Sequence, residues 1–332
     1  MFPSSTASIP QLVDPAIVKF FDQSVDQIVK KTDYTRFSFT DFEVENINND
    51  AMSSISGFGP GSLTIEGQQY AVDQIFNGYK KTLVVRKYTK RFPYTEELSY
   101  QIQKKQKMVV LKLQGFITSA SQGLVYNWEE DFAKMFYLGQ GTTFITGGDG
   151  VALISSAHPV KKPGIANQSN IVTVGAVTNP ELNPQSLRTA VYQMDRFLDD
   201  SGSLMLRGTN KILVVPRAML EIAQRLVYSE YGPDTANLGF GEVSPTVRTR
   251  SGYDIRVEVL NHIPDAYANY WFVVDADRMK NMVVMAKAWS PRVFERMKDI
   301  AGVENILAST LFGPNPIDWR WIIGSTGANS LS

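Results

Sequence analysis

Along this chain, stretches with apolar residues at helical spacing alternate with short strand-like runs, which predicts helices set among small sheets. The first stripe is Ile17, Phe20, Phe21, Ile28 and Val29. It lies on a helix that begins at Pro15, where a missing N–H has no helical bond to lose, with Asp14 placed as its cap. The longest stripe is Leu98, Ile102, Val109, Leu113, Phe116, Ala120, Leu124, Trp128, Phe132 and Met135. Thr95 stands as its cap, and Glu96 and Glu97 fall in the first turn, where the helix dipole favours negative charge. Unbroken from about residue 96 to 138, this helix would be roughly 65 Å long at about 1.5 Å per residue. Gly115 and Gly123 interrupt it, each costing about 1 kcal/mol relative to Ala, so a bend or a close contact is expected there. Gly139 and Gly141 end it.

The strand-like parts are shorter. Residues 33–70 alternate Phe, Ile and Val with polar residues and end in Gly57, Gly59, Pro60 and Gly61, a pattern of strands and turns. Tyr79 to Phe92 is extended in character and strongly basic. A separate unit begins after Pro159, with helical periodicity at Gln185–Leu198 and Arg217–Val227. Strand runs follow at Ile212–Val215, Tyr253–Leu260, Trp271–Val274 and Met282–Met285. From Trp289 to Gly327 the chain reads as strands returning along the long helix. Residues 1–13 carry too little apolar surface to pack alone and read as an extended arm. No repeat appears at any period of about 20 to 50 residues.

Composition narrows the class. With 332 residues there is room for two compact domains, and 43% hydrophobic against 20% charged residues is ordinary globular usage, so the chain should fold. Lys plus Arg and Asp plus Glu are 33 each, so no long-range field draws the molecule to nucleic acid or to a membrane surface. The absence of cysteine rules out disulfides, thiolate metal sites and Cys nucleophiles. No apolar stretch reaches the ~20 residues of a membrane span, and Met1 to Pro10 lack a signal-peptide pattern. Synthesis in the cytoplasm and solubility until assembly are the expectation.

The chain offers little catalytic chemistry. Its two histidines, His158 and His262, each stand beside a proline-containing turn rather than within a cluster of possible ligands, so neither a zinc nor an iron site is expected. Ser155 and Ser156 precede His158 without the G-x-S-x-G elbow, and a local turn hydrogen bond explains them. No phosphate-cradling glycine motif occurs; Pro60 interrupts the nearest approach at Gly57, Gly59 and Gly61. The acid pairs Glu96/Glu97, Glu129/Glu130 and Asp199/Asp200 read as solvated faces or dipole complements of helices. The expectation is no catalytic residue, no cofactor site and no metal site, with a hydrolase using His158 as the alternative from another class.

The basic segment is the most unusual charge feature. Lys80, Lys81, Arg86, Lys87, Lys90 and Arg91 are interleaved with Tyr79, Tyr88 and Phe92, and Lys104, Lys105 and Lys107 extend the run. Sequence-blind nucleic-acid binding is one reading. A lysine-protected edge strand is a second. The favoured third places this segment of one copy against the acidic residues of the next, among them Asp41, Glu43 and Glu45, because a basic hairpin folded onto its own domain would bring like charges together. The helix bearing Phe20 and Phe21 docks either on its own core or on a neighbouring copy. These residues together form the candidate inter-subunit contacts.

The order of arm, extended hairpin, one very long helix, mixed α/β unit and returning chain end resembles the major capsid proteins of tailed phages and herpesviruses. Asp149-Gly150-Val151-Ala152-Leu153-Ile154-Ser155, followed by Ala157-His158-Pro159, is similar to a segment of the Mu-like head-protein group, as is Val215-Pro216-Arg217-Ala218 before a helix. The resemblance implies an α+β fold in which residues 1–50 are the N-arm and its helix and 51–93 an extended β-hairpin loop. Residues 94–159 with 276–332 become the peripheral domain, with its spine helix at about 96–138, and 160–275 the mixed α/β axial domain. It implies self-assembly into pentamers and hexamers that form an icosahedral head around double-stranded DNA. Scaffolding, portal and decoration proteins are the implied partners, DNA contact is non-specific, and the protein resides in the virion. An encapsulin-type nanocompartment shell is the alternative on the same fold. Some members join subunits by a Lys–Asn isopeptide bond, but no partner for the lysines of residues 80–91 is matched in this sequence. No long helical scaffolding segment precedes residue 14, which leaves scaffolding to a separate or removed chain.

Overall fold

A computed structural model describes residues 15–45, 50–55, 77–94, 107–228, 254–298 and 304–330. The expected arm, the glycine cluster at 57–61, the helix start at Thr95 to Glu97, and Lys104 and Lys105 lie outside the described residues.

Two four-stranded sheets flank a long helix. Helix α1 (Pro15–Val29) leads through a 3-10 turn (Asp33–Arg36) into β1 (Thr40–Glu43), β2 (Ala51–Ile55), β3 (Asn77–Thr82) and β4 (Arg86–Tyr94). Helix α2 (Lys107–Tyr137) follows, then the short pair β5 (Thr173–Val174) and β6 (Val177–Thr178) and helix α3 (Pro184–Asp195). The rest comprises β7 (Asn210–Pro216), α4 (Leu220–Tyr228), β8 (Asp254–Leu260), β9 (Trp271–Asp275), α5 (Ala276–Met282), β10 (Val283–Lys298), β11 (Glu304–Pro316) and β12 (Ile322–Ser325). The first sheet has the order β1-β10-β11-β4 and the second β12-β9-β7-β8, while β2 pairs with β3 alone.

Local chemistry explains several boundaries. Pro184 occupies the first turn of α3, and Asn183 and Ser186 exchange the two bonds of a capping box. Asp275 accepts from the N–H groups of Asp277 and Arg278 and so starts α5. Helix α2 stops at Tyr137, where a Cβ on Gly139 would press on the carbonyl of Met135. Of its two internal glycines, Gly115 faces open space, whereas a Cβ on Gly123 would come within 3.1 Å of Lys90 Cε. The second glycine therefore marks the close contact that the sequence called for.

The core sits at the C-terminal half of α2. Phe132 and Phe136 meet at 5.4 Å, and around them gather Phe37 on Phe132 (5.1 Å) and Phe272 and Trp321 on Phe136 (5.5 and 5.9 Å). Strand β11 returns along the helix, as expected: Trp128 stacks on Phe312 at 4.9 Å and donates to Thr310 Oγ1 at 3.1 Å. A second apolar cluster joins Phe21 and Val25 of α1 to Ile117, Ala120, Leu124 and Val125 of α2. Helix α1 thus docks on its own subunit, the first of its two readings.

One expectation about the basic segment needs correction. Strands β3 and β4 do not form a hairpin with each other: β3 pairs with β2, and β4 leaves to pair with β11, register Arg86↔Phe312 to Tyr94↔Glu304. Tyr88, Thr89, Lys90 and Arg91 stand opposite Thr310, Ser309, Ala308 and Leu307. No like charges are forced together there, so that repulsion argument for a neighbouring acidic partner falls away.

Candidate functional site

The structure divides the basic segment in two. Lys81 is turned inward and donates to the carbonyls of Thr146 and Pro316. Burial pushes its amine down to about 7, against the opposing charge of Asp149. Arg86 donates to the Phe144 carbonyl at 2.8 Å, lies 4.2 Å over the Phe144 ring and sits 3.8 Å from Asp131 on α2. Asp131 also accepts from Tyr88 Oη at 2.7 Å, and burial raises its carboxyl although Tyr88, Arg86 and Lys134 counter it. Lys81 and Phe21 are buried and Arg86 is partly buried, each engaged with residues of its own subunit. Phe20 is partly buried against the same cluster as Phe21.

Lys80, Lys87, Lys90 and Arg91 remain exposed. Alternation along β4 places Arg86, Tyr88 and Lys90 toward α2, leaving Lys87 and Arg91 on the other face. Asp41 pairs with Lys287 at 2.7 Å, and Asp41, Glu43 and Glu45 are exposed. Part of each charge group that the sequence singled out, Asp41 and Glu43 on β1 and Arg86, Lys87, Lys90 and Arg91 on β4, falls at opposite margins of one sheet. Acidic β1 is one edge, basic β4 the other, and β10 and β11 lie between them. That arrangement was not legible in the sequence, because it depends on which strands β10 and β11 accept.

His158 is fully enclosed. Its Nδ1 meets Asp149 Oδ2 at 2.6 Å, its Nε2 meets Asn170 Oδ1 at 3.1 Å, and its ring stacks on Trp319 at 4.1 Å. The Asn170 amide is oriented unambiguously, since Nδ2 donates to the carbonyls of Leu153 and Ile322 while Oδ1 accepts from Ser155 N–H. Both imidazole nitrogens therefore point at acceptors. Ser155 Oγ accepts from Ala157 N–H in a local turn and is not bonded to the imidazole. Among the described residues the His158 ring is enclosed, with both nitrogens engaged.

The acid pairs also differ from expectation. Asp200 is buried against Arg320 at 2.8 Å, and Asp199 Oδ1 accepts from Ser201 N–H, Ser201 Oγ and Ser203 N–H. These two acids shape a turn and a buried ion pair, not a helix face. Arg320 also binds Asp318 at 2.7 Å, and nearby Lys211 binds Asp275 at 2.7 Å with Asp195 at 3.3 Å. These pairs tie the segment after α3 to the chain before β12, and the end of α3 through β7 to the end of β9. Beyond them, Leu204 and Leu206 are 65% and 94% exposed. Glu130 does face solvent with Lys134 at 2.9 Å. Glu129 instead accepts from Asp33 N–H at 2.6 Å and lies 3.5 Å from His262 Nδ1; burial raises its carboxyl.

Among the described residues, no helix is long and apolar enough to cross a membrane. No protein-family model and no curated protein sequence matches the chain. Solved structures do. A chain of Mycobacterium phage Patience matches at a TM-score of 0.50 and 14% identity, covering 93% of this chain and 87% of that one. The capsid of Myoviridae Phage XM1 matches at 0.47 and 12%, covering 89% and 91%. The capsid of the native GTA particle matches at 0.45 and 13%, covering 98% and 94%. At such identities the likeness speaks to fold alone, and this chain shares the mixed α+β fold of the Patience chain.

Proposed function

We propose that this chain is a shell-building subunit, the major capsid protein of a tailed phage head, and not an enzyme. The observation that carries the reading is the fold shared with the Patience chain over 93% of the residues. The sheet with an acidic β1 edge and a basic β4 edge supports it. A subunit whose two margins complement each other makes head-to-tail contacts, which close into rings when the rotation permits. Charge complementarity of this kind sets register and partner choice more than affinity. Each contact need supply only a little free energy, because repetition around a ring makes dissociation rare.

In this reading residues 160–275 form the axial unit that builds pentamers and hexamers, and exposed Leu204 and Leu206 belong to its contact surface. Residues 94–159 and 276–332 form the peripheral domain stiffened by α2, and 1–50 and 51–93 act as arm and loop across neighbours. The finished shell is the virion head, with loose, sequence-blind contact to packaged double-stranded DNA through Lys and Arg. Scaffolding, portal and decoration proteins are its further partners. The enclosed His158 speaks against the hydrolase alternative.

Size-exclusion chromatography and electron microscopy of the purified chain test the reading. Pentamers, hexamers or closed shells are the expected result. A monomer at every concentration and ionic strength overturns it.

A further inference from the structure

Three side chains far apart in sequence converge at the junction of the α1 exit, α2 and the turn after β8. Asp33 opens the 3-10 turn, Glu129 lies on α2, and His262 follows β8; one ligand atom from each lies within 4.8 Å of the other two. Asp33 is buried, and the side chains of Glu129 and His262 are each 16% exposed, so these are not solvated surface acids.

Each of the three is aimed by a neighbour. Asn261 donates to Asp33 Oδ2 twice, from its backbone N–H at 3.2 Å and from Nδ2 at 2.8 Å. Asp33 N–H in turn donates to Glu129 Oε1 at 2.6 Å. The Tyr126 ring meets the His262 ring edge-on at 4.5 Å. The other oxygens are less well served: Asp33 Oδ1 has Arg36 at 3.7 Å and Glu129 Oε2 has His262 Nδ1 at 3.5 Å. Both distances exceed the roughly 2.7–2.9 Å of a charge-assisted hydrogen bond. Two enclosed carboxylates are therefore held side by side, each with one oxygen that no cation among the described residues approaches within charge-assisted hydrogen-bond distance, and an imidazole nitrogen faces them.

We propose that Asp33, Glu129 and His262 bind one divalent transition-metal ion, Zn²⁺ or an ion of similar character, with water completing the coordination. Two carboxylates and an imidazole suit such an ion, and neighbours that orient the ligands are a regular part of metal sites. Closing the triad to the spacing of a tetrahedral ion, about 3.3 Å between ligands for bonds of about 2.0–2.2 Å, needs side-chain shifts on the order of 1 Å. Arg36 would move off Asp33 toward Glu258, which it already contacts at 3.4 Å. The bound ion ties the N-terminal segment, the long helix and the mixed α/β unit together at one point. This inference is independent of the shell reading.

The test uses tag-free, chelator-treated full-length chain titrated with Co²⁺, followed by visible absorption and calorimetry, with Zn²⁺ as competitor. One equivalent per chain and a rise in unfolding temperature with Zn²⁺ are expected. His262→Gln and Glu129→Gln should each weaken Co²⁺ binding more than about a hundredfold. Asn261→Ala, which removes an orienting partner but no ligand, should weaken it about ten- to a hundredfold. Melting in chelator establishes which variants fold. Absence of saturable uptake by the unmodified chain overturns the proposal by itself, and so does unchanged uptake in a folded His262→Gln or Glu129→Gln variant.

Discussion

The Lys81 ammonium lies 3.0 Å from the Pro316 carbonyl oxygen in a pocket that leaves Lys81 8% exposed, with no carboxylate among the described residues bonded to it. Its second bond goes to the Thr146 carbonyl, so the side chain staples β3 to the loop after α2 and to the end of β11.

A pH dependence follows. Folding lowers this amine from 10.5 to about 7, so below pH 7 both states hold the proton and the folded chain bears the full cost of enclosing it. Between about 7 and 10.5 the unfolded state binds more protons, and stability from this group rises with pH. Tyr79, Tyr34 and Tyr88 act oppositely, because burial raises their phenols and stability is lost once the unfolded phenols ionise near 10. The window is therefore about pH 7 to 9.5. Urea unfolding of the unassembled chain should show stability rising there by up to about 3 kcal/mol at about 1.4 kcal/mol per unit, and Lys81→Met should remove the rise. Equal slopes in the two proteins would rule out a titrating Lys81.

His158 and Asp149 form an enclosed pair whose separate loss should be costly. Replacing His158 with Leu strands a buried carboxylate, at a cost of about 3–5 kcal/mol in chemical unfolding. Replacing both with Leu removes the stranded charge, so the double variant should be less destabilised than the sum of the single ones. Strict additivity would show that the 2.6 Å contact carries no coupling.

Gly313 and Asn315 fix the corner between β3 and β4. Val84 N–H donates to Asn315 Oδ1 at 2.8 Å, and Asn315 Nδ2 donates back to the Val84 carbonyl at 3.0 Å. That same carbonyl occupies the space a Cβ on Gly313 would need. Gly313→Ala should lower the unfolding temperature sharply, since backbone must move. Asn315→Leu should cost about 1–3 kcal/mol for each backbone group left unpaired. A Gly313→Ala variant that melts like the parent would mean the corner is loosely held.

These corners mark what the sequence could and could not disclose. Helical spacing reports a local face, so the start of α1 at Pro15, the end of α2 before Gly139 and strands β7, β8 and β9 were readable from local pattern. The partner of a strand is a long-range property, and alternation in residues 86–91 is compatible with pairing to β3 or to β11. The same blindness hid the inward turn of Lys81, which only the Thr146 and Pro316 carbonyls explain. It also hid the Asp33, Glu129 and His262 cluster: Asp33 and Glu129 are 96 positions apart, and His262 stands alone in sequence. The fold resemblance was carried by the order of elements, which survives when residue identities have diverged to 14%.

The opposed sheet edges give the sharpest test of how copies meet. Lys87 and Lys90 on β4 and Glu43 and Glu45 at β1 are exposed, and the intervening strands hold them at opposite margins. If a β4 edge meets the β1 edge of the next copy, Lys87→Glu with Lys90→Glu places like charges across that contact and should raise the concentration needed for assembly. Glu43→Lys with Glu45→Lys should do the same. Combining the four restores complementarity with the signs exchanged and should recover assembly, while each reversed pair alone should respond oppositely to salt because screening relieves its repulsion. Light scattering across a concentration series reads all three proteins. Full assembly of either reversed pair, or failure of the combined variant while it remains folded, would place the charged edges outside the contact and leave the α/β unit to hold the ring.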